Sequence, residues 1–337
     1  MNITTVGIDL AKNVFSLHGV DAHGKTVLKK TVSRSKLLEV MANLPQCRVG
    51  MEACTGAHHW ARQLMGLGFD VRIIAPRFVI PYRKSGKNDG NDAEAICEAA
   101  SRPAMRFVPI KSSEQQAVLS LHRIRQGRVA ERTAQINQLR GLLAEFGLIM
   151  PKGRYPAQHH IPDILEDATN GLPTLARRLL ADVWARTQQL NQQILAYDRE
   201  IEHLAKHSAQ AQRLMTIPGI GAITATAIIA SVGAPQQFKS GRQLGAWLGL
   251  VPRQYSSGGK TRLGRITKQG DKYLRTLLIH GTRAVLATLK DKRDQTSNWL
   301  RALVARRGYK RAAVALAAKN ARIVWAILTR GEEYRAA

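Results

Sequence analysis

The sequence predicts an α/β domain at the N-terminus followed by an all-α remainder. Three observations predict it. The first hundred residues alternate short β-branched runs with amphipathic stretches, the middle hundred carry apolar residues at helical spacing over long spans, and the last third breaks into shorter apolar stretches punctuated by glycine. At 337 residues the chain is long enough for two or three domains with a sizeable core.

TTVGIDL (4–10), VFSLHGV (14–20) and KTVLKKTV (25–32) are separated by turn-formers such as DAHGK and read as a three-stranded meander. A helix follows from about Ser35 to Asn43, then a strand at CRVGMEA (47–53), a helix from about Ala57 to Leu67, and a strand at DVRIIA (70–75). A last helix runs from the Asn91-Asp92 turn through Ile96. The order βββαβαβα is that of the ribonuclease H-like fold. Between Ser113 and His207, Ile136, Leu139, Leu143 and Phe146, then Val183, Leu190, Ile194, Tyr197, Ile201 and Leu204, predict two long helices packed as an antiparallel coiled-coil pair. This region reads as a spacer or oligomerisation arm. The connection MPKGRYPAQHHIPD, rich in Pro, Gly and His, reads as a loop or short irregular segment. From Leu214 the chain becomes shorter helices and ends in a basic helical tail. The expected domains are 1–110, 111–210 and 211–337.

Lys and Arg number 51 against 24 Asp and Glu, a formal charge of +27, which favours a polyanionic partner. The excess is uneven, with 23 basic against 5 acidic residues from Ala211 onward and 28 against 19 before it. Cys47, Cys54 and Cys97 have no paired metal-ligand spacing, and three cannot all pair within one chain, so a reducing compartment is expected. No run approaches the roughly 18 apolar residues of a membrane span, and Asp9 interrupts any signal-peptide core. A cytoplasmic protein with no membrane partner is expected.

Asp9 ends the first strand, Glu52 ends the strand after the first helix, and Asp89 and Asp92 open the last helix of the α/β domain, in a stretch KSGKNDGNDAEA that also carries Lys84 and Lys87. In the predicted fold the first and fourth strands are neighbours, so Asp9 and Glu52 meet at one sheet end, and an i, i+3 pair points to one helix face. Hard oxygen donors in a basic protein suit Mg²⁺, and paired ions of this kind serve phosphodiester chemistry. Taken singly, an Asp at a strand end or helix start is a cap or turn-former. The joint placement argues otherwise, because an acidic residue on a buried-looking strand is costly without an ion or partner.

LMTIPGIGAITATAII (214–229) has the spacing of a helix-hairpin-helix element, in which the turn at Gly219 and Gly221 would offer backbone amides to a phosphate; a plain tight turn between packed helices is the equal alternative. Further on, LVPRQYSSGGKTRLGRITKQGDKYLR sets Ser256 and Ser257 beside two glycines and the cations Arg253, Lys260, Arg262, Arg265, Lys268, Lys272 and Arg275. A flexible serine in a cationic loop can attack phosphate, though such serines are usually linker residues.

These stretches together resemble the transposases of the insertion-sequence family usually called IS one-ten, relatives of the Piv-type DNA invertases. The resemblance spans nearly the whole chain and rests on VGIDLAKNVF, GMEACTGAHHWARQL, KNDGNDAEAI, IPGIGAITATAIIASVG and FKSGRQLGAWLGLVPRQYSSGGKTRLGRITKQGDKYLRTLL, in that order. It implies a RuvC-like domain whose Asp-Glu-Asp-Asp set falls on Asp9, Glu52, Asp89 and Asp92, with Mg²⁺ as cofactor and Mn²⁺ able to replace it. It also implies a C-terminal transposase domain whose catalytic serine, in a Tyr-x-Ser-Gly motif, matches Ser257, with Ser256 the rival at x. A coiled-coil joins the two in such proteins and supports dimers and tetramers, with composite sites that take the serine from another protomer. Donor and target DNA and a structured bridge RNA are the implied partners. The rival readings are a RuvC-like junction endonuclease that has no need of Ser257, and a helical nucleic-acid-binding protein without catalysis.

Overall fold

The computed structural model describes residues 2–84, 88–289 and 292–335, so Lys87 lies outside the described residues. The chain forms two compact units, Met1–Gln116 and Ala117–Ala337. In the first, the elements run β1 (Thr5–Leu10), β2 (Val14–Val20), β3 (Thr26–Ser33), α1 (Leu37–Ala42), β4 (Arg48–Glu52), α2 (Ala57–Gly66), β5 (Asp70–Ile74), α3 (Pro76–Val79), α4 (Asp89–Ser101) and β6 (Phe107–Val108). They build one mixed sheet of order β3-β2-β1-β4-β5-β6, in which β1, β4 and β5 are parallel and β2, β3 and β6 run antiparallel to their neighbours. The meander and the adjacency of the first and fourth strands are as the sequence predicts, and the arrangement is consistent with a ribonuclease H-like domain. The two-residue β6 is too short to leave a periodic signal. Helix α4 begins earlier than expected because the Asn88 side chain accepts from the Asn91 amide and caps it, and it runs on to Ser101.

Alternation sorts the strands. Val6, Ile8, Val49 and Met51 join Phe15, Leu17, Leu37, Trp60 and Leu64 in one fully apolar core with α1 and α2, each large side chain contributing about 1.5–3 kcal/mol of burial. The opposite face presents Gly7 and Gly50, which are register partners on β1 and β4. A Cβ on Gly7 would stand 2.2 Å from the Ala93 carbonyl oxygen, and one on Gly50 2.6 Å from the Ala100 methyl. The missing side chains therefore let α4 lie directly on the sheet.

The second unit holds α5 (Ser113–Glu145), most of which lies in it, then α6 (Arg154–Glu166), α7 (Thr174–Lys206), α8 (Ala209–Met215), α9 (Ala222–Val232), α10 (Gly241–Trp247), β7 (Pro252–Gln254), β8 (Leu263–Ile266), α11 (Lys272–Ala287), α12 (Gln295–Arg307) and α13 (Tyr309–Arg330). Helices α5 and α7 run antiparallel: Arg125 pairs with Asp198, Arg132 donates to Asn191 and Thr187 to Gln135. Leu139 and Leu190 are fully buried within the unit. The segment expected to be a loop is instead helix α6. Pro156 falls in its first turn, where no intrahelical amide is needed, and burial of Ala157 and Ile161 against Leu139 and Leu143 outweighs the break at Pro162.

Leu214, Ile228, Leu244, Leu274, Leu278 and Val324 share the core of the C-terminal part. By length and composition α13 alone among the described helices could cross a membrane, yet its Leu316, Ala317, Asn320, Ala321 and Val324 stripe is buried, and Asn320 donates to the Pro218 carbonyl. Buried His122 of α5 bonds the Tyr273 hydroxyl and Thr226 Oγ1, both at 3.0 Å, tying α5 to α11 and α9. Burial pushes its pKa down to about 4.

Candidate active site: a carboxylate cluster and a serine hairpin

Two residues beyond Gly7 and Gly50, on the same sheet face, stand Asp9 and Glu52. The first turn of α4 carries Asp89 and Asp92, where the helix N-terminus favours acidic side chains. The charges of the other three reach Asp9, and that of Asp92 also reaches Glu52. Burial first, then the charges of Asp92, Asp89 and Glu52, push the Asp9 carboxyl up to about 6, against a smaller pull from Arg83. Burial also raises Glu52, Arg83 opposes that rise, and Asp92 adds to it.

Arg83 is the residue that sequence reasoning missed. Its Nε lies 2.6 Å from Asp92 Oδ1, yet that buried oxygen receives no directed hydrogen bond. The contact is an ion pair of incomplete geometry. Among the described residues no group of three or more Asp, Glu, His or Cys side chains is closed up as a metal cage. The chemistry of the donors nonetheless suits a divalent cation: hard carboxylate oxygens, one with its pKa raised by burial and neighbouring charge and another with a buried oxygen that receives no hydrogen bond. The signal for Arg83 was the cationic run just before the acidic helix turn, whose pairing is visible only in three dimensions.

Ser256 and Ser257 lie on a hairpin that sequence periodicity did not predict. Its feet are locked by glycines: a Cβ on Gly249 would stand 2.1 Å from the Gln269 carbonyl oxygen, and one on Gly270 1.8 Å from that of Trp247. At the tip Lys260 N donates to the Ser257 carbonyl at 3.1 Å across Gly258 and Gly259, both at positive φ, as a type I′ turn requires. The two serines differ in engagement. Ser256 Oγ accepts from Gln254 Nε2 at 3.0 Å and from the Arg262 amide at 3.3 Å, whereas Ser257 Oγ has no hydrogen-bond partner among the described residues.

Arg253, Lys260, Arg262, Arg265, Lys268 and Lys272 are all exposed. Lys272 is the first residue of α11, an end where a cation is unfavourable to the helix itself. Arg275 is a correction. It is buried and donates to the Leu248 carbonyl at 3.1 Å, so it holds the hairpin's root and does not face a ligand. Gly219 has positive φ, and a Cβ there would stand 2.8 Å from the Gly281 carbonyl oxygen, so close packing on α11 accounts for this glycine. Gly221 caps α9 with an ordinary extended backbone and open space around it.

Fold and site together define a protein with a carboxylate-bearing α/β unit and a helical unit presenting a basic serine hairpin. Residues 6–147 match a family model described as Transposase, and residues 211–297 match one described as Transposase IS116/IS110/IS902 family. The chain is 50% identical to a probable family 20 transposase of Pseudomonas aeruginosa over 99% of both chains. It is 48% identical to the transposase for insertion sequence element IS1111A of Coxiella burnetii, over 99% of this chain and 92% of that one, and 42% identical to that for IS1328 of Yersinia enterocolitica over 98% of both. The chain belongs to the IS110/IS116/IS902 family of insertion-sequence transposases. Membership implies an enzyme that cuts and recombines DNA, and its N-terminal domain suggests dependence on a divalent metal.

Proposed function

We propose that this transposase moves its own insertion sequence by cutting and rejoining DNA strands without net hydrolysis, using two chemistries. Asp9, Glu52, Asp89 and Asp92 hold Mg²⁺, or Mn²⁺ in its place, and Ser257 is the nucleophile. The observation that supports the reading is that Asp9, at the end of β1, is raised to about 6 by burial and by the charges of Asp92, Asp89 and Glu52. When bound, the metal supplies charge neutralisation at the scissile phosphate and activation of oxygen. The carboxylates bind and orient it.

Ser257 Oγ bonds to phosphorus as the bond to the leaving sugar oxygen breaks, and that oxygen takes up the proton the serine gives up. A sugar hydroxyl of the incoming strand then attacks the phosphoserine and frees Ser257, which retains the bond energy that hydrolysis would discard. The unengaged hydroxyl at the tip supports Ser257 over Ser256, whose oxygen accepts two hydrogen bonds. Lys260, Arg262 and Arg265 balance charge developing on the phosphoryl oxygens, and Arg253, Lys268 and Lys272 with the Gly219–Gly221 turn, read as a helix-hairpin-helix contact, hold the backbone.

The excess of positive charge and the family resemblance support a structured bridge RNA as guide, whose pairing with donor and target DNA carries the sequence information. Within the three-domain division 1–110, 111–210 and 211–337, we assign the α5–α7 pair as the coiled-coil of a cytoplasmic dimer or tetramer. Because Leu139 and Leu190 are consumed inside the unit, the assembly surface falls to exposed Leu142, Phe146, Ile149, Leu175 and Leu179.

The test is a reaction on supercoiled donor and target DNA with wild type, Ser256→Ala and Ser257→Ala. A covalent protein–DNA adduct that survives the first change and disappears with the second is expected. Efficient recombination by Ser257→Ala removes the serine mechanism.

A further inference from the structure

The β7–β8 hairpin has an aromatic residue that the phosphate chemistry leaves unused. All of β7 and three of the four residues of β8 are exposed, so the hairpin stands clear of its unit's core, and an isolated two-stranded hairpin is marginal in water. Tyr255 follows β7, its amide donating to the Arg262 carbonyl at 2.9 Å. The ring reaches diagonally across the partner strand, with Cε2 3.6 Å from where a Cβ of Gly264 would stand and the Arg253 Cβ 3.8 Å from the same point. Tyr255, Arg262, Gly264 and Arg253 thus share one face. The glycine leaves the ring a flat bed, and 64% of Tyr255 remains exposed. From Gly249 to Gly270 the sequence holds no acidic residue.

We propose that Tyr255 is a base-stacking platform: a nucleobase unstacked from the DNA strand beside the scissile phosphate lies on the open face of its ring, while Arg253 and Arg262 hold the flanking phosphates. A planar apolar face between cations is the arrangement by which proteins bind single strands, since every base has a π face and every linker a negative charge. The short reach from Tyr255 to Ser257, two residues along the chain, sets the occupant as a nucleotide next to the one attacked. Stacking there holds the phosphate in register with the serine hydroxyl and removes a base from the duplex, which strand exchange requires. The inference rests on the nucleic-acid role of the hairpin proposed above.

The experiment uses the full chain and single-stranded DNA oligonucleotides carrying 2-aminopurine at successive positions, read by anisotropy for affinity and by fluorescence quenching for stacking. Tyr255→Ala should weaken binding roughly five- to a hundredfold and abolish quenching at one position. Tyr255→Phe should keep both, and the salt dependence of binding should be the same for all three proteins because no phosphate contact is lost. Arg262→Gln should lower the salt slope by about 0.7. Unchanged affinity and quenching in Tyr255→Ala, with Arg262→Gln impaired, overturns the stacking role alone; if both variants bind like wild type, the nucleic-acid reading of the hairpin fails with it. Loss of quenching in Tyr255→Phe assigns the effect to the hydroxyl and overturns stacking, and quenching confined to the RNA version of the oligonucleotide overturns the assignment to DNA.

Discussion

Gly7→Ala is expected to damage both the stability of the α/β unit and its chemistry, because one methyl group would separate α4 from the sheet. The new Cβ would lie 2.2 Å from the Ala93 carbonyl oxygen and 2.4 Å from the Cys97 amide nitrogen. Both are backbone atoms, so no side-chain rotation can relieve the clash. Restoring ordinary contact requires the helix to retreat by about 1 Å, and overpacking of this kind costs about 1–3 kcal/mol. The same retreat carries Asp89 and Asp92 away from Asp9 and Glu52, and a displacement of about 1 Å at reacting groups can cost ~10²-fold in rate. Urea unfolding followed by circular dichroism measures the first effect, and strand cleavage on supercoiled DNA the second. Gly50→Ala meets a methyl group at 2.6 Å and should follow more mildly. Gly141→Ala, on an open surface of α5, is the control and should stabilise by about 0.5–1 kcal/mol. A Gly7→Ala protein that unfolds and cleaves like wild type would refute the close-approach argument.

Asp9→Ala and Asp92→Ala should abolish cleavage while leaving filter-binding affinity for DNA unchanged or higher, because each removes a ligand of the proposed metal and deletes a negative charge, which cannot weaken attraction for phosphate; cleavage by either variant rules out the carboxylate site. His122 is held neutral, with its pKa near 4 against an ordinary 6.5. The unfolded chain therefore takes up a proton that the folded chain refuses, and stability present above pH 6.5 should fall by up to ~3 kcal/mol as pH drops toward 4. His122→Gln should remove that part of the acid dependence in urea titrations. Replacing Leu142, Phe146 and Ile149 together with Ser should lower the mass seen by light scattering without loss of helicity, and an unchanged mass would exclude this end of the helix pair as an assembly surface.

Much of this architecture was legible because it rests on local signals. The meander, β4 and β5 follow from β-branched runs of period two, and the long helices from the apolar spacing of positions 136–146 and 183–204. The positions of Asp9 and Glu52 could be read because strand parity and the order of the strands fix them. What escaped depends on contacts distant in sequence. Segment 154–166 looks like a loop by composition, yet Ala157 and Ile161 gain more from burial than its prolines cost. Arg275 sits in a run of cations and only its burial separates it from them. The β7–β8 hairpin has no apolar alternation because neither face is covered by its own unit, and Arg83 announces itself only through the oxygen it faces.

The acidic cluster of the α/β unit and the basic hairpin of the helical unit are opposite in local charge, within units that are each basic overall. A chain with 51 basic and 24 acidic residues gathers four of the latter at one sheet end, where mutual repulsion and burial work against the fold. The Arg83 contact with Asp92 offsets part of that repulsion without satisfying the oxygen it approaches. In the hairpin the situation is reversed: five exposed cations stand between Arg253 and Lys268 with no carboxylate among them. On the function proposed above, each site takes its opposite charge from outside, a cation for the carboxylates and a phosphate backbone for the hairpin. Supplying only one should leave the other strained. It follows that divalent metal alone should stabilise the α/β unit against urea and leave the hairpin's protease sensitivity unchanged, whereas a DNA oligonucleotide without metal should do the opposite. If either ligand produced both effects, the two sites would have to be coupled through the chain.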